Sequence, residues 1–145
     1  MERLQIRRLD KHITQTLAPD MPLHGWLKSI RTSLNMSLAQ VAKRLGVSKQ
    51  SAARLEANEV DNSITLKSLR RAAAAMDCYV VYALVPKDGS LNALVEKQAQ
   101  KKAHELLDPV THTMMLEDQE SPYSEYQLQD KAAEFVRVMP KSLWD

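Results

Sequence analysis

Lys49, Gln50, Ser51 and Arg54 sit within about one and a half turns of a helix, and each carries hydrogen-bond donors on its side chain. Gln pairs bidentately with adenine, and Arg or Lys with guanine, each contact giving roughly 1–3 kcal/mol of base discrimination in a major groove. Ser51 can serve a base edge or a phosphate. The chemistry these residues offer is recognition of double-stranded DNA rather than bond making. A second set, Lys43, Arg44, Lys67, Arg70 and Arg71, has the charge to clamp phosphates, which positions a protein without encoding sequence. Any one of them taken alone is equally a solvated surface charge. Glu56 is expected to be structural and to pair with a basic neighbour.

Two short amphipathic helices must hold these groups. In Ser37–Glu56, SLAQVAKRLGVSKQSAARLE, Ser37 is suited to cap a helix whose apolar face is Leu38, Val41, Ala42 and Leu45. Gly46 can take the left-handed backbone that ends it. Ser48 can cap the second helix, and small Ala42 and Ala52 allow the two to cross closely at a steep angle. A plain helical hairpin with a solvated polar face is the alternative.

This segment resembles the Cro/repressor-type (Xre) helix-turn-helix family, over about Trp26 to Met76. The resemblance implies a lambda-repressor-like fold in which the helix after Ser48 is the recognition helix and Lys49, Gln50, Ser51 and Arg54 are the base readers. It also places Ser37 at a phosphate-contacting helix start. That pattern often has a polar reader after this cap, and here the residue is Leu38, so base reading should rest on the second helix.

At 145 residues the chain can hold one compact domain plus an appended helical module. The net charge of +2 is unevenly divided. Residues 1–87 carry 14 Lys/Arg against 7 Asp/Glu, and residues 88–145 carry 6 against 11. A basic part with the helix-turn-helix and an acidic part without one suggest two roles, although an acidic solvated helical face gives the same count. No apolar run approaches the roughly 20 residues of a membrane span. The charged start MERLQIRRLDKH lacks a secretory pattern, and the one cysteine, Cys78, cannot form an internal disulfide. A cytoplasmic setting is expected.

Three regions follow from the pattern. Residues 1–24 read as a helix over 2–17 and a Pro-containing connector. Residues 25–87 hold a helix over 25–34, the two motif helices, a turn over 57–63, a helix over 65–76 and a strand. Residues 88–145 read as an acidic helical extension with helices over 90–107, 109–118 and 124–138, the first two separated at Asp108-Pro109. The strand is CYVVYALV, 78–85, with Tyr79, Val80, Val81, Tyr82 and Leu84 as its pairing residues and Pro86 as its stop. An isolated strand needs a partner. The same strand from a second copy, giving a homodimer, is the simplest, and the N-terminal segment or a different protein is the rival. The fold class expected is mainly α, with one dimerising β-strand and a helical C-terminal extension. A dimer of this kind meets half-sites about 34 Å apart.

HGWLKSIR (24–31), SITLKSLRRAA (63–73), YALVPK (82–87) and THTMMLEDQ (111–119) together make residues 3–120 similar to the mobile mystery protein A family. That resemblance implies an antitoxin-like partner of a Fic-domain toxin, an enzyme that transfers AMP to proteins. Fic inhibitors place Ser or Thr four residues before a Glu that occupies a Fic-motif arginine. Thr113 and Glu117 match this spacing, with Asp118 where Gly or Asn is expected. Ser121 and Glu125 match the same spacing. The rival to an antitoxin is a stand-alone Xre-type regulator.

No enzymatic activity, metal or cofactor is expected. His12, His24, His104 and His112 have no metal-ligand spacing with Cys78, and Gly25, Gly46 and Gly89 are too scattered to cradle a phosphate.

Overall fold

A computed structural model describes residues 2–14, 20–115 and 125–145. Its elements are α1 (Glu2–Thr14), α2 (Trp26–Ser33), α3 (Leu38–Leu45), α4 (Lys49–Val60), α5 (Leu66–Ala74), α6 (Leu91–Met115), α7 (Glu125–Val138) and a 3₁₀ turn (Lys141–Trp144). They divide into two compact units, α2 to α5 in one and α1, α6, α7 and the 3₁₀ turn in the other.

In the first unit, local chemistry fixes where each helix starts and stops. Ser37 and Gln40 form a reciprocal capping box, Gln40 N donating to Ser37 Oγ at 3.1 Å and Ser37 N to Gln40 Oε1 at 2.8 Å. Ser48 caps α4 and Thr65 caps α5, each accepting from the backbone N–H three residues on. Gly46 ends α3 with φ 69. Asn35, Asn62 and Asp77 take the left-handed conformation after α2, α4 and α5, the residue types that bear it best after glycine. Leu27, Val41, Ala72 and Met76 form the core, flanked by Ile30, Leu45, Leu55 and Leu69. Ala42 and Ala52 are both buried, as the close crossing of α3 and α4 requires.

Three expectations are corrected. The turn expected from residue 57 is instead the last turn of α4, which runs on to Val60 because Glu59 is anchored in the interior. Pro109 does not end a helix: α6 is continuous through it, losing one backbone donor but not its path. The expected strand is absent. Residues 78–86 have no regular secondary structure, and among the described residues no segment lies alongside to complete a ladder.

The second unit joins the two ends of the chain. Asp10 of α1 accepts from Leu91 N at 2.6 Å and Asn92 N at 3.2 Å, capping α6 from 81 residues away. Ser90 accepts from Ala93 N at the same helix start. Val95, Ala99, Ala103, Ala132 and Leu143 make the core, packed by Ile6, Leu128, Phe135, Val136 and Met139. The fully buried Ala99 and Ala103 let α6 meet its neighbours closely.

Candidate nucleic-acid interface

The exposed face of α4 is set by fixing the opposite side of the helix. Nine residues separate Gln50 from Glu59, so at 100° per residue they lie on opposite sides of the helix. The Glu59 carboxylate is buried, with 5% of its surface exposed. It accepts from Leu27 N at 2.9 Å and Trp26 N at 3.1 Å, the first two amides of α2. The residue at that helix start, Gly25, has φ 80 and offers no side-chain cap, so Glu59 does the capping from 32 residues away. One turn back, Glu56 takes a bidentate pair from Arg31, at 2.5 Å to Nε and 3.1 Å to Nη2. The hydrogen bond to Glu56 holds the Arg31 guanidinium above its usual pKa. Glu56 is thus structural, as expected. Two carboxylates on successive turns set the rotation of α4 against α2.

The other side of α4 faces out. Lys49, Gln50, Ser51 and Arg54 are all exposed. Ser51 Oγ accepts from Ser48 Oγ at 2.9 Å, which leaves its own proton available to donate. A shallow groove between α4 and α5 brings Ser51 and Arg54 together with Arg71, Asn58 and Ser68. Asn58 and Ser68 did not stand out in the sequence. Asn58 had a usable signal, since it follows Arg54 by four residues and so shares its face.

The phosphate candidates are placed differently from one another. Lys43 and Lys67 are exposed. Arg44 donates to the Ala75 carbonyl at 3.1 Å and lies 3.9 Å from Asp77, so it closes the C-terminal end of α5. Arg70 stacks over the Tyr82 ring, 5.6 Å from its centroid. Ser37 is committed to its capping box through both its amide and its hydroxyl oxygen.

Residues 18–82 carry nine Lys/Arg against five Asp/Glu. Glu56 and Glu59 are turned inward, Asp61 accepts from the Ser63 amide and hydroxyl, Asp77 lies beside Arg44, and Asp20 is exposed. The outward-facing remainder is positive, the sign that attracts a phosphate backbone.

An exposed donor-bearing helix, capped and packed on the helix before it across a tight turn, defines a helix-turn-helix. Residues 27–82 match the family described as Helix-turn-helix, and this stretch is a domain of the Xre/Cro type, the fold of DNA-binding transcriptional regulators. Comparisons with curated proteins and with solved structures give no match. Among the described residues no helix is long and apolar enough to cross a membrane. Of the residues expected to inhibit a toxin, Thr113 lies in the last turn of α6, whereas Glu117 lies outside the described residues.

Proposed function

We propose that this protein is a cytoplasmic, dimeric repressor that binds a specific operator, reading bases with Lys49, Gln50, Ser51 and Arg54. Lys43, Lys67, Arg71 and the N-terminal amides of α3 hold phosphates, with Ser37, Arg44 and Arg70 nearby. The observation that carries the reading is the contrast across α4: Lys49, Gln50 and Arg54 are exposed and make no side-chain bond among the described residues, while the opposite face is held by Glu56 and Glu59.

The test uses a duplex selected by the full chain from a randomised pool, and a scrambled duplex of equal length. Arg54→Ala is expected to weaken binding to the selected duplex about 10–100-fold, the loss of one bidentate base contact, with scrambled DNA changed by less than about threefold. Equal losses on both duplexes would remove Arg54 as a base reader.

In its finer form the proposal makes the protein the antitoxin of an adjacent Fic-domain AMP-transferase, inhibiting the enzyme and repressing their shared operon. The four blocks of resemblance to the mobile mystery protein A family support this, as does a second helical unit that carries no DNA-binding motif. Thr113 and Glu117 are its inhibitory pair, the carboxylate occupying an arginine that otherwise reads ATP phosphate. Glu117→Gly is expected to abolish rescue of cells expressing the neighbouring Fic protein. Full rescue by that variant removes Glu117 from the role. Absence of any Fic reading frame beside this one leaves a stand-alone regulator.

A further inference from the structure

The segment joining the two units carries an unusual surface. Tyr79 is 87% exposed, Val81 72% and Leu84 81%, so apolar side chains face water on both sides of the chain. From Tyr79 to Val85 no backbone amide or carbonyl is hydrogen-bonded among the described residues. The run is bounded at each end: Cys78 N is taken by the Ala73 carbonyl at 2.9 Å, and the Pro86 carbonyl by Gly89 N at 3.1 Å. Seven residues of β-branched, aromatic and aliphatic type with unspent backbone groups are a template for strand pairing.

The flanking charges say what pairs with it. A two-fold axis normal to a two-stranded antiparallel sheet requires one residue to face its own copy, because paired residues share a face. The unbonded run 79–85 is centred on Tyr82. With Tyr82 opposite Tyr82 of a second copy, Cys78 meets Pro86, so the two sealed ends coincide and the proline, lacking an N–H, falls where the ladder stops. The same register sets Asp77 opposite Lys87 of the second copy, twice by symmetry. The Asp77 side chain is 94% exposed, its contact with Arg44 is a loose one at 3.9 Å, and Lys87 is exposed. Moving to either neighbouring allowed register places Asp77 against Val85 or Gly89 and loses both pairs.

We infer that residues 79–85 form an antiparallel pair with the same residues of a second copy of this chain, centred on Tyr82, with Asp77 and Lys87 of the two copies flanking the pair at each end and favouring this register. This deepens the dimeric part of the proposed function and rests on it. A foreign strand has no reason to match a segment whose ends and charges are complementary to themselves.

The experiment compares association of the full chain by sedimentation equilibrium. Asp77→Lys and Lys87→Asp are each expected to weaken self-association at least tenfold, since each sets like charges opposite. An equimolar mixture of the two is expected to dimerise as the wild type does, because acid again faces base at both ends. In a Cys78→Ser background, Tyr82→Cys should cross-link into a disulfide dimer under mild oxidation. Leu84→Cys should not, because its two copies would lie roughly 14 Å apart, beyond the roughly 7 Å limit of a disulfide. Of the five altered sites, Asp77, Tyr82, Leu84 and Lys87 are exposed and Cys78 is half-buried, and far-ultraviolet circular dichroism of each variant checks that the fold is kept. A wild type that stays monomeric overturns both the dimer and the register. A wild-type dimer indifferent to both charge reversals, or cross-linked through Leu84→Cys instead, overturns the register alone.

Discussion

Replacing Glu59 with alanine should destabilise the DNA-binding unit by about 2–4 kcal/mol, the loss of two charge-assisted hydrogen bonds offset by relief of a buried carboxylate. The amides of Trp26 and Leu27 lose their acceptors, and the positive end of the α2 dipole loses its anion. Glu59→Gln should recover little. Its carbonyl can take one amide, but its NH₂ group then points a donor at the other. Gly25→Ala should act through the same contact, because a Cβ there lies 2.6 Å from Glu59 Oε1 and the φ of +80 disfavours any side chain. The two losses share one cause, so Gly25→Ala with Glu59→Ala should cost less than their sum. Urea unfolding followed by Trp26 fluorescence in a Trp144→Phe background isolates this unit. A midpoint shift worth under about 0.5 kcal/mol for Glu59→Ala would mean the cap carries no weight. Because Glu59 backs the face bearing Gln50, the folded fraction of the variant should also discriminate less between selected and scrambled duplexes.

What the sequence discloses is what neighbouring residues decide together. Ser37, Gly46 and Ser48 act on backbone groups within three or four positions, and their roles follow from residue type and spacing. The exposed face of α4 follows equally from its helical period. The contacts that orient the elements are long-range and use residue types with many other uses. Glu59 reads as one more surface acid in a polar stretch, because nothing local says that α2, over thirty residues earlier, lacks a cap of its own. Asp10 is similar: its partners are the amides of Leu91 and Asn92, so the sequence separates α1 from the helices it packs with. Arg44 reads as a phosphate ligand, and nothing local says that the end of α5 also lies beside it. The run 78–85 differs in the opposite sense, since its β-type composition is plain and among the described residues no ladder partner lies beside it.

The 3₁₀ turn that follows α7 also has no strong sequence signature, yet Leu143 on it should be the most costly single truncation in the second unit. Its side chain is completely buried among Val95, Ala99, Ala103 and Ala132. The backbone holds it there: Leu143 N donates to the Pro140 carbonyl at 2.9 Å, and Gln98 Nε2 donates to the Leu143 carbonyl at 2.7 Å. Leu143→Ala is expected to cost about 3–5 kcal/mol, in the range for fully buried leucines, because the side chain has no exposed surface and its loss leaves a void in the core. Leu143→Met, which keeps most of the volume, should cost under about 1.5 kcal/mol. Hydrogen exchange at the amides of α6 and α7 reads this directly, and unchanged protection in Leu143→Ala would show that the turn does not seal the core. The same variant separates the two roles proposed for the chain. Loosening α6 and α7 should leave discrimination between duplexes in the isolated α2–α5 contacts largely intact, since Arg54 and Gln50 take their support from α2. The rescue from a Fic toxin proposed above for the end of α6 should fail at the temperature where that helix pair opens.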